Sequence, residues 1–446
     1  MFFPSRPIFL YLVASMKIEA LIRAEADHCV KCGLCLPRCP TYLKTRNEGD
    51  SPRGRIALLQ GLATGQLQDS PALRRHLDGC LGCRGCERAC PSTVAYGRLL
   101  DAGRGLLARS APGAGPSRHE RLLMHPRAAA RLLATYQRSG LHRLARRLGL
   151  PARLGLGRED RYLPPPPRRR LRRAYYAPTC AAAPGGRPGR RPGGRKPGGR
   201  KQGDVALFTG CAGWLFDQDA LVAAVGLLTA KGYGVHIPRS QGCCGALHLH
   251  RGDGAGARAL AEANSACFND LPVEAVLFLA SGCGATLSEY GELHRLAGGP
   301  PLQWRVPVVE LSRFLAALDW PEAAFRPLPG KALIHEPCTL RHVLRDEAHA
   351  YALLRRIPGL EIEPLPDNHL CCGAAGDYLF RQPAMADALL ADKIAHLRDS
   401  RARWLLTSNI GCSLHLRRGI EEAGLSVEVL HPVELLARQA DMPESP

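Results

Sequence analysis

The sequence predicts an α+β multidomain chain, a helical N-terminal unit followed by two copies of one α/β module. Three observations carry this expectation. Two matched cysteine runs near the start are separated by helical patterns, as in Ile56-Ala57-Leu58-Leu59-Gln60 and Ala72-Leu73-Arg74-Arg75-His76-Leu77. A different cysteine pattern recurs in the second half after 127 residues at its first cysteine and 129 at its last, which marks a duplicated unit. Around it, short apolar runs alternate with helical stretches, the βαβ rhythm of a parallel sheet.

The N-terminal runs are Cys29-x2-Cys32-x2-Cys35-x3-Cys39-Pro40 and Cys80-x2-Cys83-x2-Cys86-x3-Cys90-Pro91. This is the bacterial ferredoxin spacing for [4Fe–4S] clusters, in which the fourth cysteine of each run serves the other run's cluster. Three thiolates two residues apart can wrap one face of a cube, while the x3 step and the proline swing the fourth away. One cluster then takes Cys29, Cys32, Cys35 and Cys90, and the other Cys80, Cys83, Cys86 and Cys39. Zinc sites usually show paired C-x2-C knuckles with a longer gap between pairs, and disulfide frameworks belong to small secreted chains, so neither fits. The runs imply one-electron transfer through at least two clusters.

A length of 446 residues allows two to four domains. Hydrophobic residues at 46% and charged residues at 22% are ordinary for a soluble protein. Eighteen cysteines without a convincing secretory signal point to a reducing, cytoplasmic compartment. The apolar run Ile8–Ala14 is too short to span a bilayer, and residues 1–15 read as a start placed too early or as disorder, with Met16-Lys17 the expected beginning.

The net charge of +20 is concentrated. Thirteen Lys or Arg and no acid lie between Asp160 and Asp204, among Pro164 to Pro167 and the Gly/Pro-rich stretch Gly193 to Lys201. Residues 161–203 therefore read as a disordered basic spacer that buries no core. Nucleic-acid binding has no other support, while weak attraction to anionic lipid or to a partner's acidic face stays open. The expected domains are a helical cluster domain over 16–110, a helical connector over 111–160 with helices through Glu120 to Leu148, the linker, and modules over 204–330 and 331–440.

In the repeat, Cys211, Cys243-Cys244-Gly245 and Cys283 match Cys338, Cys371-Cys372-Gly373 and Cys412, with steps of 32 and 40 residues against 33 and 41. Val205-Ala206-Leu207-Phe208 and Ala332-Leu333-Ile334 read as strands leading to the first cysteine of each copy. Val276-Leu277-Phe278-Leu279 and Trp404-Leu405-Leu406-Thr407 lead to the last. Val308-Val309-Glu310-Leu311 and Val433-Glu434-Leu435-Leu436 end each copy alike. Ligands of such sheets gather beyond the carboxyl ends of the strands, where all these cysteines lie. Adjacent cysteines before a glycine suit a shared metal or cluster, since the glycine lets the backbone turn. Cys180 and Cys267 fall outside both patterns and read as non-ligands. His248, His250, His335, His342 and His369 lie near the paired cysteines and read as structural or surface histidines.

These residues resemble a known arrangement, a two-cluster helical ferredoxin followed by two cysteine-rich CCG domains. The chain outside residues 1–15 and the linker is similar to the iron–sulfur subunit family of glycolate oxidase. The resemblance rests on Ser51-Pro52-Arg53-Gly54-Arg55-Ile56, Gly242-Cys243-Cys244-Gly245-Ala246-Leu247, Ala280-Ser281-Gly282-Cys283-Gly284, Glu336-Pro337-Cys338, Leu370-Cys371-Cys372-Gly373-Ala374-Ala375-Gly376 and Ser408-Asn409-Ile410-Gly411-Cys412.

The resemblance implies an electron-transfer subunit of a glycolate dehydrogenase. FAD-binding partner subunits take two electrons from glycolate, and this chain passes them singly toward a quinone, with room for peripheral contact at the inner face of the cell membrane. It also implies one or two further clusters at the CCG motifs, lined by Cys211, Cys243, Cys244, Cys283, Cys338, Cys371, Cys372 and Cys412. The absence of a G-x-G-x-x-G fingerprint agrees with a chain that binds no dinucleotide of its own. Three alternatives stay open: a D-lactate or glycerol-3-phosphate dehydrogenase subunit, a heterodisulfide-reductase-like catalytic subunit, and zinc in the CCG modules.

Overall fold

The computed structural model describes residues 18–110, 126–179, 201–321 and 323–441. The expectations for residues 1–15, for 111–125 and for Cys180 lie outside them. All described cysteines are free thiols.

Helices over 18–27, Pro52–Ala63, Pro71–Asp78 and Tyr96–Ser110 enclose the N-terminal core, in which Ile22, Leu59, Leu77 and Leu99 are fully buried. The Ser-Pro-Arg-Gly-Arg stretch shows how sequence sets one of these helices. Ser51 caps it, its Oγ accepting from the Gly54 N–H at 2.9 Å, and Pro52 supplies a preset φ at the first turn. Arg53 donates to the Lys31 carbonyl at 3.2 Å, tying the helix to the first cysteine loop. Residue 54 must be glycine because any Cβ would collide with the Glu48 carbonyl, a backbone group that cannot swing away. Gly54→Ala is expected to lower stability by about 1–3 kcal/mol, read as a lower thermal midpoint at full iron content.

The sequence places helices through 120–148 of the connector. Where described, it is two helices, Pro126–Arg138 and Leu141–Arg147, divided at Ser139-Gly140, and Gly140 takes the left-handed φ of +76° that ends the first. The basic segment is more ordered than its composition suggested. From 162 to 179 it packs: Tyr162, Leu171 and Tyr176 are buried, and β1 (Tyr175–Tyr176) pairs antiparallel with β3 (Tyr233–His236). The reason is positional. A few apolar residues spaced among the arginines dock inward while Arg168, Arg172 and Arg173 stay exposed, and an average over the segment hides them. Residues 180–200 lie outside the described residues.

The two modules repeat one topology. The first sheet has the order β1-β3-β2-β4-β5, with β2 (Gly203–Phe208), β4 (Val276–Phe278) and β5 (Val308–Glu310) parallel to β3. The second has β7 (Leu360–Pro364), β6 (Gly330–Ile334), β8 (Trp404–Leu406) and β9 (Glu428–Leu430), all parallel in that order. In each, the strand order reverses beside the first strand of the copy, the place where open parallel sheets form a crevice.

One detail of the repeat differs from expectation. Val433–Leu436 lie in the closing helix Pro432–Gln439, begun by a capping box between His431 and Glu434, and the counterpart of β5 is β9 upstream. Both sheets face one shared core that holds Leu207, Leu277, Leu406 and Leu430. The modules also join at their cysteine ends, where the Ser281 N–H donates to the Ser408 carbonyl at 2.9 Å.

Candidate metal centres

The two cysteine runs fold as matched loops. Lys31 and Gly82, then Gly33 and Arg84, occupy equivalent places between the cysteines, and all four take left-handed φ (57°, 63°, 85° and 59°). Alternating hand in successive residues turns backbone N–H groups toward a common concavity, a nest suited to an anionic cluster. One cavity is lined by Cys29, Cys32, Cys35, Cys86 and Cys90. A second is lined by Cys39, Cys80, Cys83 and Cys86. Both share Pro52, Cys86 and Tyr96 as walls, so they are immediate neighbours. Each cavity thus gathers cysteines from both runs: three from the first and two from the second in one, and one from the first and three from the second in the other.

The electrostatics also suit iron–sulfur clusters. Burial, then the charges of nearby thiols, pushes Cys83 and Cys86 well above the ordinary thiol range. Coordination to a metal would offset that cost by holding them as thiolates. Burial likewise opposes ionisation of Cys80, but the Arg55 and Arg104 cations outweigh it and hold that thiol below its usual value.

Arg55 is 1% exposed and lines the second cavity. Its Nε donates to the His76 carbonyl at 2.7 Å, and its Nη1 to Thr41 Oγ1 at 3.0 Å and to Cys39 Sγ at 3.9 Å. Its Nη2 is buried without a hydrogen-bond acceptor, 3.6 Å from Asp50 Oδ1, as a donor left for a cluster sulfur would be. Tyr96 Oη donates to Cys80 Sγ at 3.4 Å. Arg55, Arg104 and Tyr96 are functional neighbours that spacing alone does not reveal, although Arg55 sits inside the stretch that carried the resemblance.

Each module builds a second kind of site at the carboxyl ends of its strands. Cys211 opens the helix Cys211–Phe216 after β2, and Cys283 lies in the first turn of Ser281–Ser288 after β4. In the second copy Cys338 precedes the π-helical turn Thr339–Leu344, and Cys412 lies in the first turn of Ile410–Glu422. The paired cysteines come from the loops after β3 and β7. Gly245 (φ +90°) and Gly373 (φ +97°) turn those loops back, and each donates its N–H to the first cysteine of its pair at 3.5 Å.

The thiols neighbour one another in the same order in both copies: Cys211, Cys243, Cys244 and Cys283, and Cys338, Cys371, Cys372 and Cys412. All eight repeat cysteines therefore converge, four per module. Cys267 stands apart, bonded to Ser240 Oγ at 3.1 Å.

The copies are not equal. In the second, His335 is buried and offers a ring nitrogen within 4.8 Å of Cys372 and Cys412 sulfur, while its Nδ1 meets Thr407 Oγ1 at 3.0 Å. Phe208 holds the equivalent place in the first copy. The other histidines are held differently: His342 Nε2 meets the His369 carbonyl at 3.2 Å, and His248 and His250 lie near Asp253 and Asp101. The second copy also touches the cluster domain. Cys83 shares a core with Cys338, Cys371 and Leu81, and Tyr378 Oη donates to the Gly79 carbonyl at 3.1 Å.

Comparison with known proteins agrees with this layout. Residues 25–94 match a 4Fe-4S dicluster domain, and 205–288 and 332–417 each match a cysteine-rich CCG domain. A probable glycolate oxidase iron-sulfur subunit of Bacillus subtilis (strain 168) is 33% identical over 444 residues, spanning 95% of this chain and 96% of its own length. This chain belongs to the glycolate oxidase iron–sulfur subunit family. The glycolate oxidase iron-sulfur subunit of Escherichia coli (strain K12) is 32% identical over 90% of this chain and 91% of its own length. Lactate utilization protein A of Geobacillus thermodenitrificans (strain NG80-2) is 28% identical over 52% of this chain and 98% of its own length. Membership gives the glycolate oxidase family fold, two or more iron–sulfur clusters, and an electron-transfer role within an oxidoreductase. No described helix is long and apolar enough to cross a membrane.

Proposed function

We propose that this chain is the iron–sulfur subunit of a glycolate dehydrogenase complex, taking electrons singly from the FAD of a partner flavoprotein and passing them toward a quinone. Two [4Fe–4S] clusters are held by Cys29, Cys32, Cys35 and Cys90 and by Cys39, Cys80, Cys83 and Cys86. The observation that carries the reading is the continuity of thiols from surface to interior. Cys32 is exposed beside Val30 and Leu34, each more than half exposed, which suits an electron-transfer contact with the flavoprotein. The second cavity adjoins the first, and its Cys83 lies against Cys338 and Cys371 of the second module. In this order electrons enter at the first loop and leave through the second module.

Cys338, Cys371, Cys372 and Cys412, with His335 as a fifth donor, hold a further redox centre there, and Cys211, Cys243, Cys244 and Cys283 hold an equivalent one in the first module. A mixed His/Cys donor set also suits zinc, so a structural metal in the second module is the alternative that His335 favours. Work in the cytoplasm follows from the reduced thiols the sites require.

The test uses the chain purified anaerobically with its flavoprotein partners. Glycolate should bleach the iron–sulfur absorbance rapidly, and D-lactate should do so far more slowly. Faster bleaching by D-lactate would move the chain to a lactate system. Disulfide turnover by the isolated chain would favour the heterodisulfide-reductase-like reading.

A further inference from the structure

The connector that joins the cluster domain to the modules carries a surface that the relay does not use. Residues 126–158 contain eight arginines and no Asp or Glu. Arg146 is paired with Asp160, Arg158 with Asp387, and Arg127 donates to the Arg239 carbonyl. Arg131, Arg138, Arg143, Arg147 and Arg153 are exposed and have no acidic partner among the described residues. The same stretch holds much of the exposed apolar surface among the described residues. Leu132, Leu141, Leu144, Leu148 and Leu154 are each more than half exposed.

Leu141, Leu144 and Leu148 recur at i, i+3 and i+7, which stacks them on one face of the Leu141–Arg147 turns. Neither that helix nor the following Leu150–Arg153 buries a single residue. Helices this short gain their stability from packing an apolar face, and here that face has no described partner.

We infer that this leucine–arginine surface is where the protein docks on an anionic lipid bilayer. Leucines projecting from short helices enter the headgroup boundary, while arginines on the flanking positions pair with acidic headgroups. Composition favours lipid over a protein partner. Protein-interface hot spots are rich in Trp, Tyr and Arg and poor in Leu, whereas this face offers leucine as its only large exposed apolar residue. The charge is of one sign throughout, which complements a surface of uniform negative charge. Docking of this kind would bring the relay to where a membrane-dissolved acceptor lies, so the inference deepens the proposed function. Its test, however, uses no step of electron transfer.

The experiment is cosedimentation of the full-length, cluster-loaded protein with vesicles, either phosphatidylcholine alone or phosphatidylcholine mixed with phosphatidylglycerol. Binding is expected to the mixed vesicles, to weaken by at least about tenfold on the neutral ones, and to fall with added salt. The double variant Leu144→Glu/Leu148→Glu should weaken binding by at least about tenfold at unchanged iron content, because these side chains support no core. Arg143→Glu/Arg147→Glu should do the same without touching the leucines. Failure of the wild type to bind anionic vesicles overturns the inference. So does binding that neither variant alters, which would assign the attraction to another basic segment. Variants that still bind vesicles but no longer copurify with the flavoprotein would make this face a protein interface instead.

Discussion

Cys83→Ser is expected to remove about four irons per chain and to slow electron delivery to the final acceptor by two orders of magnitude or more. The reason is position. Cys83 lines the second cavity and also shares a core with Cys338 and Cys371, so its sulfur stands on the short route between the cluster domain and the second module. The first cavity draws its four cysteines from elsewhere and should keep its cluster. Iron and sulfide analysis with electron paramagnetic resonance of the reduced variant checks this directly. Normal iron content would refute the ligand assignment. A loss of both clusters would show that the domain cannot fold around one alone.

The second large effect concerns tuning. Arg55→Met should keep both clusters and lower the reduction potential of the second by on the order of 100 mV. Burial works against the Arg55 charge, yet nearby Cys80, Tyr96, Cys39 and Asp50 outweigh it and hold the guanidinium firmly protonated. A fixed cation beside a cluster stabilises the reduced, more negative state, and its removal shifts the potential down. Methionine fills a similar volume, but the variant also leaves Asp50 and Thr41 without a partner that now donates to or faces them. A potentiometric titration separates the cases. A downward shift of the second cluster alone supports the tuning role. An unchanged potential with a lower melting temperature would make Arg55 structural only.

Much of this architecture could be read from the chain because cysteine spacing is a hard geometric constraint. The x2-x2-x3 runs call for two interlocked loops, and Cys39 and Cys90 each line a cavity together with cysteines of the other run. The repeat was equally legible, since Cys211 and Cys338 each follow a buried strand by a few residues.

What escaped was either local packing or contact between distant segments. β3 and β7 end several residues ahead of their paired cysteines, so the cysteines do not mark them. Tyr162, Leu171 and Tyr176 were hidden by the arginines and prolines around them, although three buried side chains suffice to fix that stretch. His335 is indistinguishable in sequence from His342 or His369. Only the fold shows that one of the three reaches a thiol pair while another is held by a carbonyl. The meeting of Cys83 with Cys338 joins residues 255 positions apart, and nothing local encodes it.

The most direct measurement is to count the electrons that the oxidised chain accepts from its flavoprotein after mixing with excess glycolate under anaerobic conditions. More than two electrons per wild-type chain are expected, one for each ferredoxin cluster and the rest for the centres in the two modules. About one is expected for Cys83→Ser, whose first cluster remains but leads nowhere. A wild-type chain that glycolate cannot reduce, although dithionite reduces it fully, would contradict the account at its centre.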